Sequence, residues 1–312
     1  MGLTTRIRRN PRLLLKGIRD VPAAFAELNR LYHTKRSGPE YNRNGIDVFE
    51  EEWDNLIILD ACRFDYFAES TDFDSPVERR VSRGSTSREF ITGNFANRAL
   101  HDVVYVSGNR WFLELREFLN AEVHAYRDVE RDFRVDRLDD SKSDVGYVPY
   151  PETVLESAIE AAEEFPDKRL IIHLMQPHKP YLGPNSDLFT YDGGLRSTMA
   201  ASGDVDIDTL RQAYRDTLEI TLDHVESALD SLDGRTVITA DHGELLGERL
   251  RPIPVRWYGH KEGVYVPELV DVPWQVVKEG PRREISADPP EQMPDVDEET
   301  VEDTLRALGY VP

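Results

Sequence analysis

VITADHGELLGE, residues 237–248, runs from an apolar stretch straight into Asp241, His242 and Gly243. A carboxylate beside an imidazole can simply close a strand with polar groups. The same pair can also supply oxygen and nitrogen ligands to a cation at the carboxyl end of a parallel strand, where α/β folds gather their chemistry. Which reading holds depends on whether the rest of the chain builds such a sheet.

Three other apolar runs point that way. LIIL (56–59) ends in Asp60, DVVYVSG (102–108) ends in a turn, and RLIIHLM (169–175) carries His173 near its end. With RTVITA (235–240), these short runs bounded by turn signals predict buried strands. Residues 152–165 and 207–232 are predicted helices. In the second, Leu210, Tyr214, Leu218, Leu222, Val225 and Leu229 recur every three or four positions, and Asp233-Gly234 stops it. Strands alternating with helices predict an α/β fold with a mostly parallel central sheet sandwiched between helices. The loops after the strands then share one edge, and Asp60, His173, His178, Asp241 and His242 fall in or beside them. Residues 280–297, rich in proline and charge, read as an irregular excursion, and 298–311 as a final amphipathic helix.

The chain has 312 residues, enough for one large α/β domain with a modest appendage. Acidic residues outnumber basic ones 59 to 38, the net charge is -21, and only seven of the basic residues are lysines. Such a surface suits hydration in concentrated salt, a halophilic trait, and argues against nucleic acid as a partner. The charge is uneven. Residues 1–36 hold nine Arg or Lys against Asp20 and Glu27, leaving -28 for the rest. Leu13, Leu14, Leu15, Ile18, Val21, Phe25, Leu28 and Leu31 are interspersed at roughly helical spacing. This basic amphipathic segment either lies on an anionic membrane surface or packs on the acidic body. A connector (37–52) and the main domain (53–312) follow. The lone cysteine, Cys62, excludes an internal disulfide and reads as a small core residue. No apolar run approaches the roughly 18 residues of a membrane span, and the N-terminus lacks a signal-peptide core. The expectation is a cytoplasmic protein with peripheral contact to the inner membrane face.

Asp60 and Asp241-His242 offer two carboxylates and an imidazole from different strand ends, donors that suit Zn, Mn or Mg. Between them lies SRGSTSREF (82–90), a small turn leading into a predicted helix over 87–99. A hydroxyl at a helix N-terminus faces free N–H groups and the positive dipole end, which favour a bound phosphate. The alternative is that Ser85, Thr86 or Ser87 caps the helix and Glu89 completes a capping box.

In order along the chain, LIILDACRFD (56–65), GSTSREF, IIHLMQPHKPY (171–181), VITADHGELLGE and YGHKEGVYVPELVDVPW (258–274) resemble the alkaline phosphatase superfamily in its sulfatase-like branch. The likeness, from about residue 53 onward, is to phosphoethanolamine transferases, lipoteichoic acid synthases and sulfatases. It implies Asp60, Thr86, Asp241 and His242 around one divalent metal ion, with Thr86 as nucleophile. His173, His178 and His260 match histidines that face substrate or hold an additional metal, and His178 or His260 is the candidate to protonate the leaving group. Arg63 and Arg88 are candidate phosphate grips and Lys179 and Lys261 candidate neutralisers of substrate charge, with structural pairing as the alternative. Trp111, Trp257 and Trp274 read as packing residues. Departures matter as well: neither Ser85 nor Cys62 starts the motif that formylglycine sulfatases need, Ala61 replaces a frequent second Asp, and Gln176 replaces a frequent Asp before Pro-His. The function implied is metal-dependent hydrolysis or transfer of a phospho-substituted alcohol, a mono- or diester, lipid- or glycan-linked. Rivals are a sulfate-ester hydrolase and, from another class, a catalytically inactive protein that keeps the pocket to bind metal or ligand.

Overall fold

The computed structural model describes residues 20–129, 133–134, 147–191 and 193–291. Its strands are β1 (Asn55–Leu59), β2 (Glu78–Val81), β3 (Ala99–Ser107), β4 (Glu122–Asp128), β5 (Phe133–Arg134), β6 (Tyr147–Val148), β7 (Arg169–Leu174), β8 (Thr236–Ala240), β9 (Leu246–Arg249), β10 (Arg256–Tyr258) and β11 (Asp271–Lys278). Seven of them form one sheet in the order β2-β11-β8-β1-β7-β3-β4, while β5 pairs with β6 and β9 with β10. The four strands read from the sequence are its centre. β1 lies parallel between β7 and β8, and β3 lies parallel to β7 and to β4. The sheet is therefore mostly parallel, with β11 antiparallel to β8, and β2 antiparallel in turn to β11, added at one edge.

Every residue of β1 and β8 is buried, which is why these runs are apolar without alternation: both faces of the sheet are covered. Alternate residues still divide between two cores. Ile57 and Leu59 pack with Ile172, Leu174 and the helices Pro151–Glu164 and Ile207–Ala228 through Leu155, Leu210, Tyr214, Leu218 and Val225. Leu56 and Ile58 pack on the other face with Ile171 and the helices Ser87–Phe95 and Trp111–Leu119, through Phe90, Phe95 and Phe112. Burying each such side chain is worth about 1.5–3 kcal/mol, so the two cores, not local propensity, hold these short strands in place.

Two helix ends fall short of the sequence pattern, and β3 starts at Ala99, three residues before the run at 102. The helix over 87–99 stops at Phe95, because Asn97 turns into the left-handed region and β3 already begins at Ala99. The long helix ends at Ala228 and tightens into a 3-10 turn over Leu229–Ser231.

The helix Val21–Ser37 is capped by Asp20, whose carboxylate accepts the Ala23 N–H at 3.0 Å. One face docks on the body. Asn29 exchanges hydrogen bonds with Ile253 at 2.8 and 2.9 Å, and His33 Nε2 lies 2.8 Å from the Arg251 carbonyl. Packing thus applies to the described part of the basic segment, while residues 1–19 lie outside the described residues. So does the helix expected over 298–311. Residues 280–291 are irregular, as expected. No helix among the described residues is long and apolar enough to cross a membrane.

Candidate cation centre

Asp60 and Asp241 meet because β1 and β8 are neighbours in register, Leu59 opposite Ala240, and each carboxylate is the next residue out. The backbone turns sharply there. Ala61 sits at φ 61°, uncommon for a residue with a Cβ, and its N–H bonds Asp241 Oδ1 at 3.1 Å. The His242 N–H bonds the same oxygen at 2.8 Å. Gly243 is a glycine for want of room: a Cβ there would stand 2.3 Å from the Glu268 carbonyl oxygen.

Both carboxylates are fully buried, and each has one oxygen satisfied and one not. Asp60 Oδ2 accepts from Asn109 Nδ2 at 2.8 Å, whereas Asp60 Oδ1 and Asp241 Oδ2 have no hydrogen-bond partner. Two ring nitrogens face these oxygens. His242 Nδ1 lies 2.8 Å from the Gly243 carbonyl. A carbonyl only accepts, so Nδ1 carries the proton and Nε2 presents a lone pair. That lone pair points at Asp60 Oδ1 (3.6 Å) and Asp241 Oδ2 (3.5 Å). His173 Nε2 stands 3.7 Å from Asp241 Oδ2, again without a hydrogen bond, while Tyr105 Oη is 2.8 Å from its Nδ1.

Buried lone pairs converging in this way repel one another, and a shared cation relieves the repulsion. The donor set fits a divalent ion: Asp60, Asp241, His242 and His173 would hold it. Burial and the charge on Asp241 hold the Asp60 carboxyl well above the usual range. Burial pushes Asp241 the same way, but His242 and His173 outweigh it and its pKa falls. Burial lowers His242, takes His173 down to about 4, and, with Lys179 and His260 alongside, holds His178 well below the ordinary value. Neutral imidazoles of this kind are ligands. That fits His178 poorly to the expected role of proton donor.

A second cluster abuts the first. Ligand atoms of His178, Glu244 and His260 all lie within 4.8 Å of one another, and so do those of Asp60, His173 and Asp241. His260 Nδ1 is 3.1 Å from Glu244 Oε1, and the His242 and His260 ring centres are 4.5 Å apart.

The hydroxyl that reaches the first cluster belongs to Ser87, not to Thr86. Thr86 is the N-cap of the helix Ser87–Phe95, its Oγ1 accepting the Glu89 N–H at 3.3 Å. Ser87 Oγ, one residue on, lies 3.4 Å from Asp60 Oδ2, 3.4 Å from His242 Nε2 and 3.1 Å from Asn109 Nδ2. Glu89 completes the cap differently from the expected box. Its carboxylate accepts from the N–H and hydroxyl of Ser85 (2.8 and 2.7 Å), from Gly263 N–H (3.0 Å) and from the Tyr265 hydroxyl (2.8 Å), tying the Ser87 turn to the loop after His260.

Three of the four basic candidates are paired with acidic side chains. The Arg63 guanidinium bonds Asp65 (2.6 Å) and Glu248 (2.8 Å), which occupy the donors a phosphate grip would need. Arg88 pairs with Glu262 at 3.1 Å on an exposed face. Lys261 Nζ lies 3.6 Å from Glu27 and over the Trp257 ring, while Lys179 is buried beside His178. Cys62 is a buried core residue, as are Trp111 and Trp274. Sequence reasoning missed Asn109, Glu244 and Ser87 as members of the site. Asn109 sits just past β3 in the same loop position that singled out Asp60, and Glu244 stands two residues beyond His242, so a stricter use of strand ends would have found both.

No family model and no curated protein matches the chain. Solved structures do. The periplasmic domain of a phosphoethanolamine transferase from Escherichia coli, in complex with Zn, is similar over 76% of each chain (14% identity, TM-score 0.45). A putative sulfatase from Bacteroides thetaiotaomicron is similar over 77% of this chain and 67% of its own (15%, TM-score 0.41). An alkaline phosphatase superfamily protein from Vibrio parahaemolyticus is similar over 83% and 70% (12%, TM-score 0.43). These are proteins of the superfamily that the motifs resemble, and at such identities the likeness concerns the fold alone.

Proposed function

We propose that the chain is a divalent-cation-dependent enzyme that transfers or hydrolyses a phospho-substituted alcohol, with Ser87 as nucleophile in place of Thr86. The observation that carries this reading is the buried Ser87 hydroxyl, at the first turn of a nine-residue helix, within 3.4 Å of Asp60 and of the His242 lone pair. Asp60, Asp241, His242 and His173 would hold the cation. Bound there, it would lower the pKa of the serine hydroxyl and offset charge on phosphoryl oxygens. Asn109 Nδ2 donates to both Asp60 and Ser87, which orients the hydroxyl. The helix N-terminus offers backbone N–H groups to the incoming anion.

Attack by Ser87 Oγ forms an O–P bond as the ester O–P bond breaks, and the alcohol departs with a proton. Water or an acceptor alcohol then cleaves the phosphoseryl bond and restores Ser87. His178, Glu244 and His260 would hold a second cation beside the first, where it would offset further negative charge on the phospho group.

Paired phosphate and sulfate esters of one chromogenic alcohol test the reading. Turnover of the phosphate ester that requires Zn, Mn or Mg and disappears in Ser87→Ala is expected. Faster turnover of the sulfate ester would replace the phosphoester reading, and metal binding with no turnover of either would leave a binding protein.

A further inference from the structure

Packing on the body and contact with a membrane exclude each other only if the helix has one useful face. Helix Val21–Ser37 has two. Ala26, Asn29 and His33 meet the body, while Val21, Phe25, Leu28 and Tyr32 are exposed at 52%, 41%, 43% and 44%. Their spacing of four, three and four residues places them in one narrow stripe of a 3.6-residue helix. Lys35 and Arg36 flank its end. The helix's one acidic residue, Glu27, is turned aside and paired with Arg30 at 2.6 Å. Immediately before it, residues 1–19 carry Arg6, Arg8, Arg9, Arg12, Lys16 and Arg19 and no acidic residue.

We propose that this exposed face docks on an anionic lipid bilayer, the apolar stripe entering the headgroup boundary and the flanking basic residues meeting lipid phosphates. Three observations select that occupant. The large exposed hydrophobics among the described residues are this stripe plus Phe118 and Leu188, so the body offers no matching apolar surface to which a second copy could bind heterologously. The local charge is positive on a chain whose remainder is strongly negative, which fits an anionic plane met by this face alone. The helix also bears directly on the candidate centre: Thr34 and Arg30 side chains lie so close to Gly263 that a Cβ there would meet them at 2.7 and 2.8 Å, and Glu27 pairs with Lys261, the neighbour of His260. Docking would thus bring the loop of His260 to the lipid surface. That last step rests on the function proposed above and implies a substrate carried on a lipid; the docking itself does not.

The test is co-sedimentation of the full chain with phosphatidylglycerol and with phosphatidylcholine vesicles at roughly 0.1 M salt, where surface charge is still felt over about 10 Å. Expected is recovery with the anionic vesicles only. Partition should fall at least tenfold in Phe25→Glu/Leu28→Glu and severalfold in Lys35→Glu/Arg36→Glu, and stay unchanged in Phe118→Glu. These side chains are exposed, so thermal melts of the variants should match the parent chain. Turnover of a soluble ester should not change in any of them, which separates this proposal from the catalytic one. Equal recovery from both vesicle types, or full binding by Phe25→Glu/Leu28→Glu, would overturn it. So would a chain that ignores vesicles but is a dimer that the same variant dissociates, since a second copy would then cover the stripe.

Discussion

Asp54 and Asp60 stand at the two ends of β1, both fully buried, and they are built in opposite ways. Asp54 is satisfied: Oδ2 accepts the Arg235 N–H at 2.8 Å, and Arg282 Nε lies 3.1 and 3.0 Å from its two oxygens. Asp60 keeps one oxygen without a partner, facing a histidine lone pair. A buried carboxylate with a full set of donors holds a fold together. One left unsatisfied against other unsatisfied ligands costs stability until something else binds. The contrast between the two aspartates that flank one five-residue strand separates an end of the sheet closed by ion pairs from an end left open to a ligand.

The largest effect should come at the chemical end. Ser87→Ala should lower kcat/KM on the order of 10⁴-fold or more, as loss of a covalent nucleophile does, with melting temperature nearly unchanged. Thr86→Ala should do the reverse, costing about 1 kcal/mol of stability through the lost helix cap and little activity beyond that. Equal losses of activity in the two variants would reject the assignment of Ser87. Steady-state kinetics with a soluble phosphodiester, beside thermal melts, reads both.

Next in size is the aspartate pair itself. Asp60→Asn should reduce kcat/KM on the order of 10³-fold. In the metal-free protein it should not lower the melting temperature, because it removes one of two facing buried charges. Asp54→Asn should destabilise by about 2 kcal/mol, as expected when a charged hydrogen-bonding group is lost, yet leave metal affinity and KM alone. A metal-free Asp60→Asn protein that melts well below its parent would show that the carboxylate is structural after all.

How much of this was legible in the residues follows the same divide. The four central strands were readable because double burial makes them continuous apolar runs, and Asp60, Asp241 and His242 because they end such runs. β2, with its ERRV sequence, and β11, with Pro273 inside it, carry no such signature and are strands only because the neighbouring edge accepts them. Thr86 and Ser87 could not be told apart as caps: a helix beginning one residue earlier would have exchanged their places, and the Thr86–Glu89 bond marks Thr86 as the cap. For Arg63 pairing stood as the alternative to a phosphate grip, and pairing is what it does, with Asp65 two residues on and with Glu248, which is remote in sequence.

A smaller effect should follow from adding the cation. Zn, Mn or Mg at a hundredfold excess over its Kd should stabilise the protein by about 2.7 kcal/mol, a rise of several degrees in melting temperature that a chelator reverses. Asp60→Asn/Asp241→Asn should abolish the rise, and Asp54→Asn should keep it from its lower starting point. A rise of equal size in the first double variant would place the ion elsewhere.

The smallest effect sharpens the comparison within the chemical end. His178 and Glu244 are buried like the first cluster and His260 a little less so, but His260 and Glu244 already satisfy one another at 3.1 Å, whereas the first cluster's free oxygens have no such partner. A site that is partly self-satisfied gains less from an ion, so the second cation should bind more weakly than the first. Glu244→Gln should therefore lower activity by only about tenfold, the scale of a single lost charge-assisted contact of 1–2 kcal/mol. It should also reduce bound metal, read by elemental analysis after dialysis, from two equivalents toward one. Loss of both equivalents together would mean that the two clusters do not bind their ions independently.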